Sequence, residues 1–266
     1  MKGSLLGIGL LAPGIPCWDQ GLAVLAGGRD YDPLVVPEPE ASLLPANERR
    51  RSSACVRWAV QVAQEAIAQS GLDARDVATV FASSGGEMEV FDQLCRVLAT
   101  PERVVSPTLF HQSVHNTAAG YWGIATSCQR SSTALACYDD SFAAGLLEAM
   151  SFVCVEEEPV LLVAYDLVPP YPLNEARQLA TGFAAALVLS LTSEAALLHW
   201  QGKLETCVTI EPTAMASPQI ESLRLGNPAA RMMALLSAIA RGGQETVVLS
   251  LPDELRLVLD LQPCGS

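Results

Sequence analysis

The sequence predicts an α/β protein in which helices cover a β-sheet on both faces. Segments with a strand pattern alternate with segments of helical spacing along the 266 residues. The predicted strands are apolar throughout, which is typical of strands buried on both faces. Half of the residues are apolar and 17% are charged, as in a compact globular protein. Because no segment has the composition of a linker, we expect a single domain over residues 1–266.

Each predicted element has a local signal. An apolar run predicts a strand over residues 4–10, and residues 18–26 form a short helix that ends at a pair of glycines. Four prolines predict a loop over residues 33–45. Apolar residues at helical spacing predict a helix over residues 53–70, with Gly71 as its stop. The same criteria predict strands at 77–83, 131–136, 160–165, 183–191, 196–199, 204–210, 245–250 and 254–260, and helices at 87–98, 114–127, 228–241 and from Cys137 onward.

The charge balance narrows the classes of partner. The formal net charge is −13, which argues against binding to nucleic acid or to an anionic membrane surface. An acidic carrier protein is likewise not expected to bind most of this surface directly. No apolar run approaches the ~20 residues that cross a bilayer. The apolar N-terminal run is short and broken by Gly7 and Gly9, so we expect a cytoplasmic protein.

The motifs for cofactors and metals are incomplete. Residues 7–12 match the glycine fingerprint of dinucleotide sites, but Pro13 delays the helix that would receive the pyrophosphate. The segment Ser83–Gly86 lacks the lysine of a phosphate loop and predicts a tight strand-to-helix turn. The eight cysteines contain no Cys-x-x-Cys pair, and His111 and His115 lack the glutamate of a zinc motif. We therefore expect no cofactor and no metal.

Cys137 is the candidate nucleophile of the sequence. It follows a short apolar strand and precedes an amphipathic helix, and a thiol near the positive end of a helix dipole favours the reactive thiolate. An acyl-accepting cysteine also needs a base and donors for the developing negative charge, roles that histidine usually fills. The chain has only three histidines, and none follows His199. A packing role and a chemical role for Cys137 both stay open at this point.

Taken together in order and spacing, several motifs over residues 3–192 resemble the N-terminal half of β-ketoacyl synthases, the condensing enzymes of the thiolase-like fold. The resemblance implies a mixed β-sheet covered by helices. The matching segments are Gly7-x-Gly9 with Pro13 and Gly14, Ala63–Gly71 with Val80–Ser84, Ser106-Pro107 with Asn116 and Ala119-Gly120, Cys137 with Gly145, and Gly182–Leu189.

The sequence departs from active synthases in two ways. Those enzymes carry two catalytic histidines in a second half of similar size, whereas residues 193–266 are fewer and carry neither histidine motif. We expect them to be a shortened second half that completes the sheet. The residues after Cys137 are Tyr138, Asp139 and Asp140, and two carboxylates beside the sulfur would oppose thiolate formation. Cys137 thus occupies the nucleophile-like position without being expected to act as a nucleophile.

A synthase-like chain without the histidines resembles a chain length factor, and the short form resembles the subunits of aryl polyene-type type II polyketide systems. The resemblance implies a non-catalytic subunit that forms a heterodimer with an active β-ketoacyl synthase and shapes its acyl tunnel, in polyketide, polyene or fatty acid-type biosynthesis. The two chains would pair partly through the strand before Cys137. An acyl carrier protein would be reached only indirectly, through that partner.

The same resemblance nominates tunnel and interface residues. The loop 106–116 would approach the tunnel of the partner, where bulky side chains limit product length by steric exclusion. The candidates for the tunnel and interface are Thr108, Leu109, Phe110, Asn116 and Tyr138.

Two other functions stay open on the sequence. One is an active, truncated condensing enzyme or acyltransferase that uses Cys137, with a histidine supplied by another chain. The other is a stand-alone acyl-binding scaffold protein. Acylation of Cys137 separates the first from the non-catalytic subunit, and co-purification with a synthase separates the second.

Overall fold

The computed structural model describes residues 1–206 and 209–264, and within them eight strands form one mixed sheet. The strands are β1 (Lys2–Leu11), β2 (Ala78–Ala82), β3 (Ser132–Leu135), β4 (Val160–Asp166), β5 (Phe183–Ser190), β6 (Leu198–Glu205), β7 (Glu245–Ser250) and β8 (Arg256–Pro263). Their order across the sheet is β3-β2-β4-β5-β1-β6-β8-β7. Strand β2 is parallel to β3 and β4, and the other pairs are antiparallel.

Helices lie on both faces of this sheet, as the sequence predicts. The α-helices are α1 (Trp18–Leu25), α2 (Ala46–Arg51), α3 (Ala54–Ser70), α4 (Met88–Leu98), α5 (Pro107–Gln112), α6 (Thr117–Thr126), α7 (Ser141–Glu156), α8 (Leu173–Ala176), α9 (Pro218–Gly226) and α10 (Met233–Arg241). Short 3₁₀ turns cover Ala74–Asp76, Tyr138–Asp140 and Ala229–Met232. No helix in the described ranges is long and apolar enough to cross a membrane.

The sheet separates two apolar cores. Alternate residues of β4 enter each core, with Leu162 on one face and Leu161 on the other. The Leu162 face packs against α1, α7 and α10, and the Leu161 face packs against α3 and α6. All seven residues of β4 are buried. This two-sided burial explains why the central strands are continuously apolar in the sequence.

Helix α3 lies against β1 so closely that only glycine fits beneath it. A Cβ atom on Gly9 would lie 2.0 Å from the backbone oxygen of Val62, and one on Gly7 would lie 2.1 Å from that of Ala66. Both contacts are far inside the van der Waals limit. The two glycines that mimic a dinucleotide fingerprint therefore serve the packing of a helix on a strand.

Several element boundaries differ from the sequence predictions. The segment 106–116, predicted as loop, contains α5, and α9 was not predicted. The strands predicted at 196–199 and 204–210 are one strand, β6, and residues 207 and 208 lie outside the described residues. The helix predicted over 228–241 begins as a 3₁₀ turn, because Pro228 precedes it and α10 starts only at Met233.

Candidate functional site: the cysteine turn and the free sheet edge

Cys137 lies on a turn between β3 and α7. The prediction that Cys137 opens the helix is wrong, because the 3₁₀ turn Tyr138–Asp140 separates it from Ser141, the first residue of α7. The Ser141 Oγ atom accepts from the Cys137 N–H at 2.9 Å and donates to the Tyr138 carbonyl at 2.7 Å, which closes the turn. The helix dipole acts mainly within the first helical turn, so this displacement weakens its effect on the sulfur.

The surroundings of Cys137 oppose the thiolate. Burial raises the pKa of the Cys137 thiol, and the negative charge of Asp140 raises it further. Burial also raises the pKa of Asp140 itself. The sequence predicted that both neighbouring carboxylates act on the sulfur, but Asp139 is engaged elsewhere.

Asp139 binds two arginines that are distant in the sequence. Its Oδ1 atom lies 2.7 Å from Nη2 of Arg177, and its Oδ2 atom lies 3.8 Å from Nη2 of Arg231. The guanidinium of Arg177 also lies over the ring of Tyr138, 3.9 Å from its centre. We call Tyr138, Asp139, Arg177 and Arg231 the arginine cluster. Arginine keeps its proton in proteins, so Arg177 and Arg231 offer no general base to Cys137.

None of the three histidines, all of which lie in the described residues, is hydrogen-bonded to Cys137. His115 Nε2 lies 3.0 Å from the carbonyl oxygen of Ser83, and His199 contacts Ser4 and Cys264. His111 is exposed on α5. Over residues 1–206 and 209–264, no hydrogen bond joins the Cys137 sulfur to a histidine. Among the described residues, the Cys137 sulfur therefore has no histidine partner that could act as its base.

A buried carboxylate lies at the end of β4 and was not predicted. Asp166 Oδ1 accepts from Ser83 Oγ at 2.9 Å, from the Ser84 N–H at 2.9 Å and its Oγ at 3.0 Å, and from the Gly85 N–H at 3.2 Å. The turn Ser83–Gly86 after β2 thus directs its donors to a protein carboxylate, as a tight strand-to-helix turn would. Burial raises the pKa of Asp166 to about 6.

A second buried carboxylate, Glu87, follows the same turn. Its Oε1 atom accepts from Ser53 Oγ at 2.9 Å, while Oε2 has no hydrogen-bond partner among the described residues. Burial raises the pKa of Glu87 to about 7. Because the pKa in the folded protein lies above the ordinary value, the ionisation of this carboxyl group makes the free energy of unfolding depend on pH.

Strand β3 leaves one edge of the sheet open. Among the described strands it pairs with β2 alone, and it is the terminal strand of their sheet. The carbonyls of Ser131 and Leu135 accept from Thr79 and Ser83 at 2.9 and 3.2 Å, so the alternating backbone groups of Ala134 point away from β2. An unpaired strand edge is a template for pairing with a second chain.

Helix α6 and its N-cap residue continue this open edge. Asn116, Gly120 and Ile124 recur every four residues and are all exposed. A shallow cavity of about 480 Å³ is lined by His115, Asn116, Ala119, Gly120, Ser132 and Ala134. The candidate Asn116 therefore lies beside β3, on the same surface.

Helix α5 carries the three candidate tunnel residues. Thr108 and Phe110 are exposed, Phe110 at 65%, and Leu109 is half-buried. The Ser106 side chain caps the helix by accepting from the Leu109 N–H at 3.1 Å. Buried Gln112 anchors the other end by donating to the Arg51 carbonyl and to the Tyr121 hydroxyl. The fifth candidate, Tyr138, is 66% exposed and belongs to the arginine cluster.

One family model matches most of the chain. The family model described as the N-terminal domain of β-ketoacyl synthase matches residues 29–244. No curated protein matches the sequence significantly.

Solved structures share the fold of the chain. A chain from the complex of the ketosynthase ApeO with its chain length factor ApeC, from Xenorhabdus doucetiae, is similar at a TM-score of 0.71 and 21% identity, over 98% of this chain and 99% of that one. The ishigamide ketosynthase/chain length factor is similar at a TM-score of 0.66 and 13% identity, over 100% of both chains. The AntDE:AntF complex, a type II polyketide synthase acyl carrier protein with its ketosynthase, is similar at a TM-score of 0.72 and 12% identity, over 99% of both chains. These likenesses confirm the predicted thiolase-like fold.

Proposed function

The chain belongs to the β-ketoacyl synthase N-terminal domain family, and on that premise we propose that it is a non-catalytic chain length factor. It forms a heterodimer with an active β-ketoacyl synthase and shapes the acyl tunnel of that partner. The observation that carries this proposal is the arginine cluster, which occupies the cysteine turn where an acyl-transfer enzyme needs a base.

The chemistry of the turn supports the absence of catalysis. Acyl transfer needs a thiolate at neutral pH, whereas burial and Asp140 raise the pKa of the Cys137 thiol. The neighbouring charged groups are two guanidiniums and two carboxylates, and the guanidiniums cannot take a proton from sulfur. This combination disfavours the rival function, an active condensing enzyme that uses Cys137.

The free edge of the sheet supports a partner of the same fold. Addition of an antiparallel strand to β3 would satisfy the outward backbone groups of Ala134. Asn116 and Gly120 line the cavity beside β3, where the glycine permits close approach of a partner, and Ile124 offers an exposed apolar side chain one helical turn further along. The similar solved complex of the ketosynthase ApeO with its chain length factor ApeC supports association of two chains. The open edge disfavours the second rival, a stand-alone scaffold.

Helix α5 is the element that we propose to limit the length of the acyl chain in the partner's tunnel. Phe110 and Thr108 project from a helix that is fixed at both ends, by Ser106 and by Gln112. A rigidly held apolar side chain limits the length of an acyl chain more sharply than a mobile loop would. Leu109 and Phe110 are the large apolar side chains of this helix, so they are the residues expected to set product length.

The remaining details of the proposal follow from the resemblance and from charge. We propose residues 1–266 as one ketosynthase-like domain, with 193–266 as its shortened second half. The proposed setting is cytoplasmic biosynthesis of an aryl polyene-type product. Because this subunit has a net charge of −13, it would repel an acidic carrier protein, which would bind to the partner instead.

Co-expression with an active β-ketoacyl synthase of the same genome tests the pairing. We expect a stable one-to-one complex in size-exclusion chromatography. Ala134→Pro removes the outward N–H of β3 without removing a bond to β2, and it should weaken the complex at least about tenfold. The matched control Ala134→Ser keeps the N–H and should bind as the wild type does. A monomer in the presence of the synthase, or unchanged binding by Ala134→Pro, contradicts the proposed interface.

A further inference from the structure

His199 bridges a hydroxyl and a thiol at the other side of the sheet. Its Nδ1 atom lies 3.1 Å from Ser4 Oγ, and its Nε2 atom lies 3.7 Å from Cys264 Sγ. The thiol donates its single proton to the carbonyl of Ala196 at 3.1 Å, and rotation about the Cβ–Sγ bond would direct the proton to His199 instead. The three residues thus have the arrangement of a nucleophile (Cys264), a base (His199) and a group that orients the base (Ser4).

The sheet register fixes these three side chains. Ser4 of β1 lies opposite His199 of β6, and His199 lies opposite Gln262 of β8, two residues before Cys264. Ser4 is buried, so its hydroxyl has a fixed position from which to orient the imidazole. Its only hydrogen-bond partner in the described chain is His199. In the tautomer in which Nδ1–H donates to Ser4, Nε2 is free to accept the proton of the Cys264 thiol.

A groove of about 730 Å³ is lined by Ser4, His199 and Gln262, and Cys264 follows Gln262 by two positions. His199 forms part of its wall, together with apolar Leu191 and Trp200. Lys2 and Glu194 supply one positive and one negative charge to the same groove. This pattern suits a small molecule that carries both a carboxylate and an ammonium group. A polyphosphate would need more positive charge than the single Lys2 provides.

We propose that Cys264 is a reactive thiol that exchanges with low-molecular-weight, zwitterionic peptide disulfides held in this groove. The Cys264 proton passes to His199 Nε2, and the sulfur attacks one sulfur of the disulfide. A bond forms between Cys264 and that half, the original S–S bond breaks, and the other half leaves as a thiolate that takes the proton from the imidazolium. Cys264 is oxidised, and the small disulfide is reduced.

The site is separate from the proposed partner surface. The triad lies on β1, β6 and the end of β8, whereas the partner would pair with β3, and β2, β4 and β5 lie between β3 and β1. The exchange can therefore occur in the free subunit and in the complex alike.

Incubation of the purified protein with oxidised glutathione tests the proposal, with peptide mass spectrometry to locate each mixed disulfide. The internal standard is Cys95, which is an exposed free cysteine. We expect Cys264 to react at least about tenfold faster than Cys95. This comparison uses the wild-type chain and needs no variant to fold.

Two substitutions separate the roles of base and groove. His199→Gln should slow Cys264 about tenfold with oxidised glutathione and with the uncharged probe 2-hydroxyethyl disulfide, while the control His111→Gln changes neither rate. Lys2→Gln should slow the reaction with oxidised glutathione only. A Cys264 rate equal to that of Cys95, or no effect of His199→Gln, overturns the reactive thiol. Equal effects of Lys2→Gln on both probes overturn the zwitterionic ligand.

Discussion

The guanidinium of Arg177 lies 3.9 Å from the centre of the Tyr138 ring. Tyr138 is the residue that follows Cys137 in the sequence. Tyr138 has a φ of +49°, an uncommon conformation for an aromatic residue. Arg177 also pairs with Asp139, so one side chain holds two consecutive residues of the cysteine turn. The turn is therefore a rigid structural element, and the carboxylate of Asp139 is engaged in ion pairs with Arg177 and Arg231.

Removal of this side chain should loosen the turn. Arg177→Ala eliminates the ring contact and the nearer ion pair of Asp139, and we expect the free energy of unfolding to fall by about 1–2 kcal/mol, because the arginine is largely buried. Chemical denaturation measures this change. The control Arg75→Ala removes a solvent-exposed pair with Asp73 and should leave the midpoint unchanged. Equal effects of the two substitutions would show that the cluster has no structural role.

Stability should decrease as the pH rises from about 4.5 to about 7. The folded protein holds the pKa of Glu87 at about 7, above its ordinary value of 4.5, so in this window the folded state binds more protons than the unfolded state. Asp166, with its pKa raised to about 6, acts in the same direction. The contribution of Glu87 is on the order of 3 kcal/mol. Thermal unfolding at a series of pH values measures the slope.

Glu87→Gln isolates the contribution of Glu87 to that slope. The amide cannot ionise, so the variant should be more stable than the wild type at pH 8, with a shallower decline between pH 5 and pH 8. Glu102→Gln, at an exposed position, is the matched control and should keep the wild-type slope. An unchanged slope in Glu87→Gln means that Glu87 is not the titrating group.

The close approach of α3 to β1 predicts a severe effect at Gly9. A methyl group there would collide with the Val62 backbone oxygen, which cannot move without displacing α3. Gly9→Ala should lower the free energy of unfolding by at least about 2 kcal/mol. Gly243→Ala places its methyl group in open space and serves as the control. Similar denaturation midpoints for the two variants would contradict the packing.

Helix α5 predicts an effect on product length. Leu109→Trp enlarges a half-buried side chain of this helix, and with an active partner it should shorten the acyl products. Mass spectrometry of the released products measures the change. The control Leu225→Trp enlarges an exposed residue of α9 and should leave the products unchanged. Identical product lengths for Leu109→Trp and the wild type would remove α5 from the tunnel.

The sequence was sufficient where burial alone determines structure. The central strands β4 and β5 are buried at every position, so their apolar runs were visible without any partner information. The missed helices α5 and α9 both begin at a serine followed by a proline, Ser106-Pro107 and Ser217-Pro218. Serine at the cap and proline at the first helical position are a start signal for a helix, which outweighs the tendency of proline to occur in loops.

The candidate site was less visible because long-range contacts create it. The pairing of Asp139 with Arg177 and Arg231 joins segments that no local pattern connects. The same is true of Asp166, whose donors lie more than eighty residues earlier in the chain. The position of Cys137 after a strand could be predicted, whereas its separation from α7 by a 3₁₀ turn depends on the Ser141 hydroxyl.

Product formation by a purified pair tests the central claim most directly. The pair contains an active β-ketoacyl synthase and this chain with Cys137→Ala, and acyl products are measured from malonyl carrier protein and a starter thioester. Because Cys137 has no base and a raised pKa, we expect wild-type product yield, and no acylation of Cys137 in the unmodified pair. Loss of product in Cys137→Ala, together with an acyl thioester on Cys137 in the unmodified pair, would show that this subunit is catalytic and would contradict the proposal.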